Sequence, residues 1–124
     1  MRRREDSTAD DLRSLTEAVI RFRDERDWAQ FHNSKDLFLS LVLEATELAE
    51  LSQWRDGPEL DSYLASKRGA LEDELADVLY WVLIIANTHG VDLGKALRSK
   101  LVKNAAKYPV EKASGSKSKY TDLS

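Results

Sequence analysis

Two pairs of acidic residues are the part of this sequence whose types and spacing best suit chemistry. Glu44 and Glu47 form one pair, Glu74 and Asp77 form the other, and each pair is separated by three positions. On a helix three residues turn through about 300°, so the carboxylates of a pair lie about 60° apart on one side. Leucines surround the first pair on that side, and a carboxylate in an apolar stripe is costly to bury without a positive partner. Four converging carboxylates therefore predict a hard divalent cation, Mg²⁺ or Mn²⁺.

The same spacing is also common on solvated helix faces, which need no metal. The leucines beside the first pair and the repetition of the pattern favour the metal site. Mg²⁺ usually takes one or two carboxylates together with substrate phosphates. Four carboxylates suit two or more ions bridged by a polyphosphate, or one ion and a carboxylate that acts as a base toward water. The reaction class that follows is hydrolysis of a phosphoanhydride. A di-iron centre is excluded, because neither His32 nor His89 stands three residues after a glutamate.

Length, charge and composition exclude several classes of protein. With 124 residues we expect one domain with its own core. The formal charge of −3 does not favour nucleic acid as a partner, and the absence of cysteine excludes disulfides and thiolate metal sites. The longest apolar run, residues 78–86, is too short to cross a bilayer. We therefore expect a cytoplasmic protein that binds neither nucleic acid nor a membrane.

The apolar spacing predicts four main helices and no strand, hence an all-α, four-helix-bundle-like fold. The first helix begins near residue 7 or 8 and runs to about 27, and the second begins at the N-cap Ser34 and ends near 54. The third covers about 70–89 and the fourth about 92–107, with a short connecting helix at 59–68. Residues 1–8 are expected to be a flexible N-terminus, 9–110 the all-α domain, and 111–124 a tail rich in Lys, Ser and Gly.

The second helix is apolar on more than one side, which predicts an oligomer. Leu39, Leu43 and Trp54 fall on the side away from Leu41 and Leu48. A helix that is apolar all round is normally buried all round. In a chain of this size, a second subunit covers the additional side most easily.

The sequence resembles the MazG-like all-α nucleoside triphosphate pyrophosphohydrolases, and among them the dCTP pyrophosphatase family. The resemblance covers roughly residues 10–124, and its motifs are the two acidic pairs and the segments 26–32, 47–51 with Trp54, 74–79, 107–110 and 119–123. It implies a MazG fold in a homotetramer or homodimer. It also implies Mg²⁺-dependent conversion of a deoxynucleoside triphosphate, namely dCTP or a C5-modified dCTP, to the monophosphate and pyrophosphate. Such an activity sanitises the nucleotide pool.

The resemblance also implies roles for individual residues. The metal ligands and catalytic residues are the acidic pairs, Glu44, Glu47, Glu74 and Asp77. The implied substrate-binding residues are Trp28, His32, Trp54, Trp81, Lys100 and Asn104, with Lys100 toward phosphate. The resemblance implies no role for any of the residues 56–67.

Other interpretations remain open at this point. The tryptophans at 28 and 54 can be core or interface residues, His32 a surface or capping histidine, and Lys100 part of a solvated face. At the level of function, the alternatives are a house-cleaning pyrophosphatase of broader specificity and a regulatory bundle that binds nucleotides without hydrolysis.

Overall fold

Every regular element in the described part of the chain is a helix. The structure is a computed structural model, and it describes residues 11–115. The elements are α1 (Leu12–Glu25), a 3₁₀ turn (Ala29–Phe31), α2 (Ser34–Glu50), α3 (Gly57–Ser66), α4 (Arg68–Thr88), α5 (Leu93–Lys107) and α6 (Val110–Ala113). No strand occurs within these residues, so the predicted all-α class is confirmed. The expected flexible segment 1–8 and the motif at 119–123 lie outside the described residues.

The central element of the first part of the molecule is α4. The chain divides into two compact units, one up to Gly90 and one from Val91 onward. In the first unit, α4 contacts α1, α2 and α3. The buried core consists of Leu37 from α2 and Leu83, Ile84 and Ala86 from α4. The apolar run at 78–86 is therefore the part of α4 around which this unit packs.

The ends of the first two long helices differ from the expected ones. Helix α1 has Asp11 as its N-cap and ends at Glu25, two residues before the predicted end, and Asp27 then adopts a positive φ of 55°. The N-cap of α2 is Asn33, whose side chain accepts a 2.9 Å hydrogen bond from the Asp36 backbone N–H. Ser34, the predicted cap, instead shares a 2.9 Å hydrogen bond between its Oγ and His89 Nε2.

Helix α2 also stops earlier than expected. It ends at Glu50 rather than near Trp54, and a series of turns follows. Trp54 has a positive φ of 68°, which a helix cannot contain. Further along, α3 matches the predicted connecting helix closely, with Asp56 as N-cap and Pro58 in its first turn.

The second unit is described by itself. The side chain of Asp92 caps α5 by accepting a 3.0 Å hydrogen bond from the Lys95 backbone N–H. Helix α5 ends at Lys107, as expected. The short helix α6 lies partly within the predicted tail, where no helix was expected.

None of the helices in residues 11–115 combines the length and the apolar character that a membrane span requires.

Candidate active site

Three of the four predicted carboxylates come together where α2 and α4 pack. Glu44 of α2 and Glu74 and Asp77 of α4 each offer an oxygen, and these oxygens lie within 4.8 Å of one another. Glu74 and Asp77 share a side of α4 because three residues complete most of a helical turn. We call these three residues the carboxylate cluster.

Within residues 11–90, the carboxylate cluster has no compensating positive group. Glu44 and Glu74 each have an Oε2 atom with less than 1 Å² exposed and no hydrogen-bond partner among the described residues. Burial raises the pKa of Glu44, and the charges of Glu47, Asp77 and Glu74 raise it further. Burial likewise raises the pKa of Glu74, with Glu47 and Asp77 adding to the effect.

This environment fits a metal cation. Within residues 11–90, the ion pairs involve other side chains, and the charges that shift the pKa of Glu44 and Glu74 all come from acidic neighbours. Unpartnered, mutually repelling carboxylate oxygens are the ligands that hard divalent cations prefer. The carboxylate cluster therefore can hold such a cation.

Glu47, the fourth predicted ligand, stands beside the carboxylate cluster. Its side chain is exposed, and none of its oxygens belongs to the compact group of three. Its charge nevertheless raises the pKa of both Glu44 and Glu74, so it lies close to them. Its role as a ligand stays a prediction.

A cavity of about 470 Å³ adjoins two of the carboxylates. We call it the aromatic cavity, because four aromatic rings contribute to its wall. Its lining residues are Ala18, Val19, Phe22, Trp28, Glu44, Asp77, Tyr80 and Trp81. One site thus offers both a place for a cation and flat apolar surfaces for a ring.

A second cavity of about 330 Å³ has two lining residues in common with the aromatic cavity. Trp28 and Trp81 line both of them. The remaining residues around the second cavity are Phe31, His32, Asp36, Leu37 and Ser40. The two tryptophans therefore form a common wall.

Burial favours the neutral form of the His32 imidazole. Its ring lies edge-on to Trp81, with 5.6 Å between the centroids. Burial lowers the pKa of His32, and the nearby Arg23 charge lowers it further. Its Nδ1 is buried and has no hydrogen-bond partner in residues 11–115. A neutral imidazole offers one donor and one acceptor, as recognition of a base edge requires.

Trp28 is positioned by the chain reversal between α1 and α2. The reversal begins at Asp27, which has a positive φ. Gln30 Nε2 donates a 3.0 Å hydrogen bond to the backbone oxygen of Asp27. The ring of Trp28 lies edge-on to Phe22 at 5.7 Å. The guanidinium of Arg26 covers Phe22 at 3.8 Å. Local hydrogen bonds and ring packing thus hold Trp28 at the cavities.

A family model described as the MazG-like family matches residues 39–123. The chain belongs to the MazG-like family. Proteins named dCTP pyrophosphatase 1 from Rattus norvegicus and Homo sapiens are 43% identical to it over 118 residues, which cover 94% of this chain and 68% of each relative. A solved pyrophosphatase structure from Archaeoglobus fulgidus superposes with a TM-score of 0.75 at 29% identity, over 88% of this chain and 98% of the other. The predicted family and fold are confirmed.

Three further residues of this MazG-like protein were predicted to bind substrate, namely Trp54, Lys100 and Asn104. Trp54 is 89% exposed and lines neither of the two cavities. Lys100 and Asn104 lie one turn apart on α5, in the second unit. Their contacts with a substrate stay predictions.

Sequence reasoning missed two aromatic residues of the site. Phe22 and Tyr80 line the aromatic cavity, but neither is among the predicted substrate-binding residues, and Tyr80 lies in the apolar run 78–86. A signal for Tyr80 was present, because it follows Asp77 by three positions and so shares its side of the helix. For Phe22 no local signal exists, since its place at the cavity depends on how α1 packs against α4.

Proposed function

We propose that this MazG-like protein hydrolyses a deoxynucleoside triphosphate, dCTP or a C5-modified dCTP, to the monophosphate and pyrophosphate. The protein thereby removes unwanted nucleotides from the pool. The observation that carries the proposal is the carboxylate cluster at the edge of an aromatic cavity, which suits a polyphosphate with its cation at one end and a base at the other. Relatives named dCTP pyrophosphatase support it.

The acidic residues would hold the metal ion at a fixed position in the site. Glu44, Glu74 and Asp77 are the ligands, Glu47 completes the set, and the natural ion is Mg²⁺, for which Mn²⁺ can substitute. When bound, the ion neutralises phosphate charge and lowers the pKa of a water molecule. Without it, the four carboxylates would repel the triphosphate. The protein's own part in catalysis is thus to fix these carboxylates in one place.

The aromatic residues receive the nucleoside. Trp28 and Trp81 line both cavities, and aromatic rings of this kind can stack on a base. His32 meets polar atoms of the base through its neutral imidazole. Lys100 on α5 binds phosphate and Asn104 faces the substrate. Trp54 lies close to the base.

A hydrolysis panel tests the proposed function. Canonical and C5-modified nucleoside triphosphates are incubated with Mg²⁺, and the products are separated and quantified. We expect the highest kcat/KM for dCTP or a C5-modified dCTP, with pyrophosphate as a product. Similar values for all bases would favour the broader house-cleaning enzyme. Binding without turnover of any triphosphate would favour the regulatory bundle.

Divalent metal should stabilise the folded protein. The carboxylate cluster repels itself without a cation, and an ion that binds the folded state but not the unfolded chain stabilises by mass action. We expect the melting temperature to rise on addition of millimolar Mg²⁺ or Mn²⁺. Glu44→Gln or Glu47→Gln should shrink this rise. Identical melting curves in chelator and in Mg²⁺ would contradict a preformed metal site.

We further propose that the protein assembles into homodimers or homotetramers. Helix α2 exposes the apolar side chains of Phe38, Leu39, Val42 and Leu43, and a contiguous apolar surface of this kind is typical of an interface. Light scattering at micromolar concentration should give two or four times the mass of one chain. A monomer with full activity would contradict this expectation. A cytoplasmic location likewise stays a prediction.

A further inference from the structure

Asp36 brings a carboxylate to the second cavity. It lines this cavity from the first turn of α2, together with Ser40 one turn further along. Residues four apart lie on the same side of a helix, so Asp36 and Ser40 border the cavity with their side chains. Beyond its Cβ atom an aspartate side chain consists only of the carboxylate group, so Asp36 presents oxygen there. The residue is exposed, and a ligand in the cavity can therefore reach it.

One oxygen of this carboxylate is held, and the other is available. Asn33 Nδ2 donates a 2.8 Å hydrogen bond to Asp36 Oδ2, and Asn33 Oδ1 accepts one of 2.9 Å from the Asp36 backbone N–H. These two hydrogen bonds fix the side chain at the start of α2. Within residues 11–90, Oδ1 of Asp36 accepts no hydrogen bond, and the ion pairs involve other side chains. This oxygen can accept a hydrogen bond from a ligand.

The second cavity is where the edge of the base finds hydrogen-bonding partners. The carboxylates that line the aromatic cavity, Glu44 and Asp77, are committed to the cation and the triphosphate. The polar residues that line the second cavity are His32, Asp36 and Ser40, and none of them belongs to the carboxylate cluster. A base stacked on the shared tryptophans therefore has uncommitted polar groups on this side.

Cytosine carries a group that a carboxylate recognises. Its exocyclic N4 amino group is a donor, whereas thymine and uracil have the acceptor O4 at the same position. An aspartate that accepts from cytosine N4 is one of the regular pairings between side chains and bases. A carboxylate facing O4 would instead bring two acceptors together. Because C5-modified cytosines keep the amino group, it is the feature that the proposed substrates share.

We propose that the Asp36 carboxylate accepts a hydrogen bond from the N4 amino group of cytosine and thereby favours cytosine over uracil and thymine. The inference rests on the proposed function and identifies a residue that determines its base preference. Asp36 binds the base and takes no part in bond cleavage.

Binding of product nucleotides tests the role of Asp36 without metal or turnover. At neutral pH dCMP and dUMP carry the same charge and differ only at N3 and position 4 of the base, so the ratio of their affinities reports on that edge. Asp36→Asn keeps an oxygen for Asn33 and places an NH₂ group where the available oxygen was. The ratio, measured calorimetrically in chelator, should fall roughly 5-fold or more, the low end of the range for a side chain that reads a base, since Asp36 is exposed to water. An unchanged ratio would overturn the proposal.

Asp36→Ala and thermal unfolding separate recognition of the base from capping of α2. The proposal expects the affinity ratio to fall in both variants, while Asp36→Asn melts like the wild type because its contacts with Asn33 persist. If Asp36 only stabilised the start of α2, the alanine variant would melt at a lower temperature and keep the wild-type ratio. That result, or a fall in the ratio only where the melting temperature also falls, would overturn the proposal.

Asp61→Asn is the matched control. Asp61 is exposed on α3 and lines neither cavity. Its replacement removes the same negative charge and should leave the ratio of dCMP to dUMP affinity unchanged. An equal fall in Asp61→Asn and Asp36→Asn would show a general effect of charge and would also overturn the role of Asp36.

Turnover of dCTP and dUTP separates this inference from the proposed function. In Asp36→Asn the ratio of kcat/KM for dCTP to that for dUTP should fall roughly 5-fold or more. If the wild type hydrolyses dCTP and the variant keeps the same ratio, only the inference about Asp36 fails. If the wild type hydrolyses no triphosphate, the proposed function fails, and binding of dCMP and dUMP still decides the role of Asp36.

Discussion

Replacing Glu74 with glutamine or Asp77 with asparagine should lower kcat by a factor on the order of 10² or more, because each change removes a charge that organises metal and water. Both side chains belong to the carboxylate cluster, whose oxygens lie within 4.8 Å of one another. The replacements are nearly isosteric, so the fold should persist. Steady-state kinetics with the preferred triphosphate at saturating Mg²⁺ measure the effect, and circular dichroism checks the fold.

Glu72→Gln provides a matched control on the same helix. Glu72 is exposed, lies outside the carboxylate cluster and accepts a 3.4 Å hydrogen bond from Arg68 Nε. The control should retain wild-type kcat, because Glu72 supplies no oxygen to the carboxylate cluster. The fold should also persist, because a surface ion pair of this kind contributes little to stability. If Glu74→Gln or Asp77→Asn kept more than about a third of wild-type activity, the metal-ligand assignment would be wrong, since removal of a ligand charge should cost far more.

Trp28→Ala should raise KM for every triphosphate by roughly 5- to 150-fold, as the loss of one base-stacking ring typically does. Stacking is indifferent to base identity because every base has a π-face. The increase should therefore be similar for dCTP, dTTP, dATP and dGTP. Trp28→Phe keeps a ring at this position and should restore much of the affinity. An alanine variant with wild-type KM values would place Trp28 in a purely structural role.

His32→Ala should act on the choice of base instead. Its neutral imidazole offers polar atoms that a base edge can meet, and polar contacts discriminate between substrates more strongly than apolar ones. The gap in kcat/KM between dCTP and the other three triphosphates should narrow, with a smaller loss of kcat. If the order and the ratios stay the same, His32 does not read the base, and the surface or capping interpretation applies.

The helical class and the sides of the acidic pairs could be predicted because both follow from local periodicity. Three residues on a helix place Glu74 and Asp77 together whatever the tertiary structure is. The angle at which α2 meets α4 decides instead that Glu44 joins that pair and that Glu47 does not. No local sequence pattern determines that angle.

Other differences have equally physical causes. The apolar pattern predicts a later end for α2 because Leu51 and Trp54 continue it, whereas the positive φ of Trp54 is incompatible with a helix. The sequence does not single out Tyr80, because a tyrosine inside an apolar run usually belongs to the core. Its unpaired hydroxyl, which distinguishes it from a core residue, becomes visible only in three dimensions.

The wall that Trp28 and Trp81 share between the two cavities constrains how this enzyme can diverge. A substitution of either tryptophan alters both cavities at once, so a gain of affinity in one cavity is coupled to a loss of affinity in the other. Phe31 and Ser40 line only the second cavity, and they can vary without disturbing the compartment beside the carboxylates. New substrate ranges should therefore arise first at these peripheral positions, whereas the shared tryptophans change last.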